Sequence, residues 1–215
     1  MNGFRIDLTN RIIGLNSHLN IYSFDNEITN KQADELILNI DNSFFYQHYK
    51  SIETNGLIIK SNNSKGVMIK GYDEYDKNHY LFNSINKGAL IQNPKSEILI
   101  GDSLANEMNL SVGDKVKIAI PKTDKTILGN IPRFKTLEVV GVFDLGLYEY
   151  DSNLIFLSSE LVRKLLLYDE DIYNKIEFFT SSPNKIELFK NKVELETSNL
   201  LLNSYSISWN CLLYT

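Results

Sequence analysis

The stretch KVKIAIPKTDKTILGNIPRFKTLEVVGVF, Lys115–Phe143, decides how the middle of this chain is read. Its two ends alternate as β-strands do: Val116, Ile118 and Ile120 fall on one face of the first, and LEVVGVF, residues 137–143, forms the second. Between them, from Lys122 to Thr136, lie about fifteen residues. A hairpin connection needs about two to five, and structureless loops beyond about twelve to fifteen are uncommon unless they function or are disordered. Ile127, Leu128, Ile131 and Phe134 make the segment too apolar for a disordered linker, and Pro132 stiffens its middle. Lys122, Lys125, Arg133 and Lys135 against Asp124 give it a local charge of +3 in a chain of net charge −5.

An apolar tip on a basic rim suits a protein-binding projection, because the apolar surface supplies affinity and the rim steers an acidic or carbonyl-rich partner. The competing reading is that the loop folds back onto its own domain. Burying Ile127, Leu128 and Ile131 in a partner would return roughly 1.5 to 3 kcal/mol apiece, against an association cost of about 4 to 15 kcal/mol. The loop alone therefore predicts weak, reversible docking.

Around this stretch the middle of the chain reads as strand-rich. EILIG (97–101) is a strand, DSLANEMNL a short helix with Asp102 as its N-cap, SVGD a turn, NLIFLS a strand and SSELVRKLLLYDE a helix. The two ends read differently. HLNIYSF is a short strand, followed by a helix whose Thr29 and Gln32 have capping-box spacing and whose Ala33, Leu36, Ile37, Ile40 and Phe44 form one buried stripe. Two apolar runs, 57–59 and 67–69, around the polar turn 61–65 make a hairpin. NKIEFFT is a strand, Ser182 and Pro183 open a helix carrying Ile186, Phe189 and Val193, and NSYSISW closes as a strand. The ends thus give β-α-β-β and β-α-β.

The expected fold class is α+β: a discontinuous split-βαβ-like subdomain, residues 1–88 and 172–215, with an antiparallel sheet and helices on one face. Into it is inserted a strand-rich subdomain, 89–171, carrying the long hairpin loop 122–136.

Composition excludes several function classes. A net charge of −5 offers no basic excess to displace counterions from phosphates, so no nucleic-acid partner is expected. Cys211 is a lone cysteine, and His18, His48 and His79 stand some thirty residues apart, so neither a disulfide nor a structural metal is expected. No phosphate-binding or dinucleotide-binding glycine motif is present, and no cofactor is expected. No apolar run approaches the eighteen or so residues that cross a bilayer, and MNGFRIDLTNRIIG lacks the pattern of a signal peptide. GLYEYDS read as extended chain puts Glu149 and Asp151 on one side, which leaves open a carboxylate-pair hydrolase; no histidine or serine elbow accompanies them. Asp73, Glu74 and Asp76 read as a solvated turn without calcium-loop spacing.

Several segments, in order, resemble the periplasmic region of LolC/LolE-type permeases of the lipoprotein-releasing ABC transporter, within the wider MacB-like group. They are MNGFRIDLTNRIIGLNSHLNI, GVMIKGYD, ILIGDSLANEMNLSVGDKVKIAIP, TILGNIPRFKTLEVVGVFDLGLYEYDS, and Ser208 with Trp209. The resemblance implies a two-part extracytoplasmic domain at the periplasmic face of the bacterial inner membrane, joined to transmembrane helices outside this stretch. It implies that the loop is the hook that captures the periplasmic lipoprotein carrier LolA. Ile127, Leu128, Gly129, Ile131 and Pro132 match the hook's apolar tip, and Arg133 and Lys135 its basic base. The implied partners are LolA, lipoprotein substrates, a second permease copy or sibling, and a separate cytoplasmic subunit that hydrolyses ATP, the domain itself being no enzyme. A MacB-like efflux subunit that couples to a channel partner is the alternative.

Overall fold

The computed structural model describes residues 17–23, 27–40, 43–75, 77, 79, 81–126, 129–182, 185, 189–199 and 205–209, with only the backbone described for 23, 121–126, 129–132, 190, 191, 199 and 205–209. In chain order the elements are β1 (Leu19–Ser23), β2 (Ile28–Thr29), α1 (Asn30–Asn39), β3 (Gln47–Lys60), β4 (Asn63–Tyr72), β5 (Ile85–Gly88), β6 (Glu97–Gly101), α2 (Asp102–Glu107), β7 (Lys115–Thr126), β8 (Gly129–Phe143), α3 (Tyr148–Asn153), β9 (Leu154–Ser158), α4 (Ser159–Leu166), β10 (Ile172–Tyr173), β11 (Lys175–Phe179), α5 (Lys190–Asn199) and β12 (Tyr205–Trp209). The class is mixed α+β, rich in strands. The chain divides into two compact units, residues 1–51 with 171–215, and residues 52–170.

In the discontinuous unit the strand order is β12-β1-β11-β3, antiparallel throughout. Leu19 stands opposite Phe178 and Ile21 opposite Ile176, so the apolar residues of β1 and β11 share one face. That face packs on Ala33, Leu36 and Ile37 of α1 and Val193 of α5, and the rings of Phe44 and Phe189 stack at 3.8 Å beside it. Helix α1 starts where its spacing predicts but ends at Asn39, so Ile40 is its extended C-cap and Phe44 is a turn residue rather than part of the helical stripe. Thr29 accepts from the Gln32 backbone N–H while the Gln32 side chain accepts from the Thr29 N–H, satisfying donors that a helix start leaves orphaned. The opposite face carries Asn20, Lys175 and Glu177, all buried, with the Lys175 ammonium 3.2 Å from the Glu177 carboxylate. Pro183 and Ile186, expected in the first turn of α5, lie outside the described residues.

In the inserted unit the strands close a ring, β3-β4-β9-β6-β8-β7 and back to β3, with β5 added along β8. Closure pairs every long strand on both sides and removes the exposed edges of an open sheet. Helix α2 packs on β6 and β8 and helix α4 on β4 and β9, the two parallel pairs, so EILIG and LIFLS are buried along almost their whole length. The turn between β3 and β4 is shorter than expected: only Ser61 and Asn62 separate the strands, with Ser61 in the left-handed region at φ 54°.

Two local expectations are corrected. Asp102 is not the N-cap of α2; Gly101 occupies that place, and Asp102 Oδ2 accepts from the Asn106 amide at 2.9 Å instead. Only glycine fits there, since a Cβ would lie 2.1 Å from the Asp151 carbonyl oxygen. GLYEYDS is not extended: Tyr148–Asn153 is helical, because the buried Asp151 carboxylate accepts from the backbone N–H groups of Leu145 (2.8 Å) and Leu147 (3.1 Å) and ties the chain back on itself. Asp73 is an exposed bend residue, as expected, and its carboxylate also accepts from the Ser159 hydroxyl and from Arg163 of α4.

Candidate functional site

The connection Lys122–Thr136, expected as a loop, is almost entirely paired strand. β7 and β8 run antiparallel from Lys115 opposite Glu138 out to Thr126 opposite Gly129, leaving two residues between the arms. Pro121, Pro132, Gly129 and Asn130 disfavour a strand locally. Pairing survives because Ile120 faces Arg133 while the next pair is Thr123 with Pro132, so Pro121 and Lys122 are accommodated as a bulge. Past this bulge the two arms pair only with each other among the described residues, and in a two-stranded ribbon each arm keeps an outer edge where a proline costs no ladder bond. From Ile120 to Thr126 the ribbon spans about 20 Å at roughly 3.3 Å per residue.

Of the expected binding residues, Ile127 and Leu128 lie outside the described residues. Gly129, Ile131 and Pro132 are strand residues of β8 opposite Thr126, Asp124 and Thr123. Arg133 and Lys135, two apart on β8, share a face, with Arg133 half-buried and Lys135 exposed. Phe134 points to the other face and is 54% exposed. It stands in line with Ala119 on β7 and Leu57 on β3, itself 45% exposed, so an apolar row crosses three strands at the ribbon's root. The sequence reading missed Leu57, whose partnership with Phe134 needs the β3 to β7 pairing across about sixty positions.

On the Arg133 side the root of the ribbon borders a cleft of about 750 Å³ lined in part by Arg133, Ser158, Glu160, Arg163, Lys164 and Tyr168. Its charges are mostly engaged. Arg163 Nη2 lies 3.3 Å from Asp73, and Glu160 pairs with Lys164 one turn on, whose hydrogen bond holds the Glu160 carboxyl below its usual range. Arg133 Nη1 donates to the Lys164 carbonyl at 3.4 Å. At the foot of β7, Lys60 (2.8 Å) and the Ser111 N–H hold the Asp114 carboxyl low in pKa and fix the turn that launches the strand. Glu149 is exposed and Asp151 buried, so the two carboxylates the sequence put side by side have different surroundings. Among the described residues no three of His, Cys, Asp or Glu converge as a metal site.

No protein-family model matches the chain. Segments of it align with the lipoprotein-releasing system transmembrane protein LolC of Xylella fastidiosa Temecula1, 35% identical over 72 residues (34% of this chain, 17% of that protein). The same protein of strain 9a5c matches at 27% over 116 residues (52% and 28%), and that of Neisseria meningitidis serogroup B at 33% over 76 residues (35% and 18%). The structure superposes on the extracellular domain of the noncanonic ABC-type transporter YknZ from Gram-positive bacteria, with a TM-score of 0.58 at 14% identity over 90% of this chain and 100% of that one. It also superposes on the periplasmic region of MacB from Actinobacillus actinomycetemcomitans, with a TM-score of 0.57 at 16% identity over 95% and 93%.

This chain is related to LolC and has the MacB-type extracytoplasmic fold. At 14% and 16% identity the structural likeness speaks for the fold alone. The aligned segments cover between 17% and 28% of the length of these LolC proteins. No described helix is long and apolar enough to cross a membrane.

Proposed function

We propose that this chain is the extracytoplasmic domain of the permease subunit of an ABC transporter that releases lipoproteins from the inner membrane, and that the β7–β8 ribbon hands them to the carrier LolA. The observation that carries the reading is the ribbon itself, whose arms past Ile120 and Arg133 pair with nothing but each other among the described residues. The similarity to LolC supports it. Ile127, Leu128, Gly129, Ile131 and Pro132 supply apolar contact at the tip, and Arg133 and Lys135 the basic base. The domain works at the periplasmic face as part of a membrane permease, paired with a second copy or a sibling, while a cytoplasmic subunit hydrolyses ATP.

Immobilised wild-type chain should retain purified LolA, and Ile131→Asp should release it with an unchanged melting temperature. Equal retention by the variant would sink the reading. Likeness to MacB and YknZ favours one other role, coupling to an efflux partner. A wild-type chain that ignores LolA would turn the argument that way.

A further inference from the structure

Arg133 lies where the ribbon leaves the closed ring. It faces Ile120, the last pair before the bulge at Pro121 and Lys122. A two-stranded ribbon on its own is marginally stable and free to swing about its root. Arg133 is half-buried, and its Nη1 donates to the carbonyl of Lys164 at 3.4 Å.

Lys164 belongs to the last turn of α4, where the final carbonyls have no partner within the helix. The Arg163 carbonyl is taken by the Leu167 and Tyr168 N–H groups as the chain turns through Leu167 at φ 59°. The Lys164 carbonyl receives the guanidinium instead, at the negative pole of the helix, where a cation is favoured. The helix is itself fixed at its start: the Ser158 hydroxyl accepts from the Leu161 N–H, and Asp73 holds both Ser159 and Arg163. A guanidinium seated on the end of an anchored helix is a brace against a rigid body.

We infer that Arg133 is a positioning residue that fixes the direction of the β7–β8 ribbon by tying its root to the C-terminal end of α4. This deepens the reading of the ribbon as the binding element and assigns Arg133 a part that needs no contact with a partner.

The test is made on the free chain, with no carrier present. Cys211→Ser removes the native thiol, and spin labels at Asn130→Cys on the ribbon and Ser111→Cys on the ring report their separation by pulsed electron resonance. Wild type should give one narrow distance peak. Arg133→Met, which keeps the aliphatic stem and removes the donors, should lose that narrow peak, and Arg133→Lys should retain most of it. An Arg133→Met distribution that matches wild type overturns the inference.

Should the methionine variant fail to fold, nitrogen NMR of the wild-type guanidinium carries the same decision. Hindered rotation supports the brace, and free averaging overturns it. Because no carrier enters either measurement, loss of LolA binding and loss of the brace are read separately.

Discussion

Thr126 stands directly opposite Gly129 in the ladder between β7 and β8, so Ile127 and Leu128 alone join two strands that reach beyond the ring. The ring closes without this ribbon, since β3 pairs with β7 at Leu57–Ile59 and β6 pairs with β8 from Glu138 onward. Replacing residues 121–132 by Asn-Gly should therefore leave a folded domain, with its melting temperature shifted by no more than about 4 °C, while LolA retention disappears. Calorimetric melting and capture on an affinity column check the two halves independently.

Gly101→Ala should be among the costliest small substitutions in the inserted unit. Its Cβ would stand 2.1 Å from a backbone oxygen of α3, and backbone cannot turn aside as a side chain can. A loss of about 3 kcal/mol in urea unfolding is expected; a loss under about 1 kcal/mol would mean that the packing of α3 on β6 is looser than described.

Asp151 links structure to pH. Burial raises its pKa above the ordinary 3.8, while the two backbone N–H groups it accepts from act in the opposite direction. The folded chain thus holds this proton more tightly than the unfolded one. Its contribution is full below the unfolded value and is lost as pH rises through the folded one. Asp151→Asn should abolish this fall in stability above about pH 4, and should cost about 1 to 3 kcal/mol at low pH because an amide oxygen cannot serve both donors as well. Urea titrations at stepped pH would show it; parallel curves for the two proteins would contradict it.

In the discontinuous unit, Thr29→Ala removes one half of a reciprocal capping pair and should cost about 1 kcal/mol in chemical denaturation. Gln32→Ala should cost less, since the helix keeps the hydroxyl cap.

What could be read from residue order was whatever depends on neighbours in sequence. The stripe Ala33, Leu36 and Ile37 with Thr29 before it announces α1, and Ser158 ahead of Leu161 and Leu165 announces α4. The apolar runs of β6 and β9 need no alternation because both faces are covered. Helix α3 was hidden, because its alternating tyrosines and carboxylates mimic a strand until the burial of Asp151 is known. The ribbon was hidden for a related reason. Its prolines and Gly129 look like loop, and only the bulge at Pro121 shows how a ladder absorbs them. For the candidate site the charges of Arg133 and Lys135 were legible, but which face Arg133 and Phe134 occupy was not. Phe134 and Arg133 are adjacent in sequence yet turned to opposite sides, one toward Leu57 and the other toward the end of α4.

Contact between the ribbon tip and the carrier is tested most directly by a photoreactive phenylalanine placed at position 128, irradiated with purified LolA, beside the same probe at the exposed Tyr148. A covalent adduct at 128 and none at 148 is the expected result. No adduct at 128, or equal yields at both positions, would contradict it.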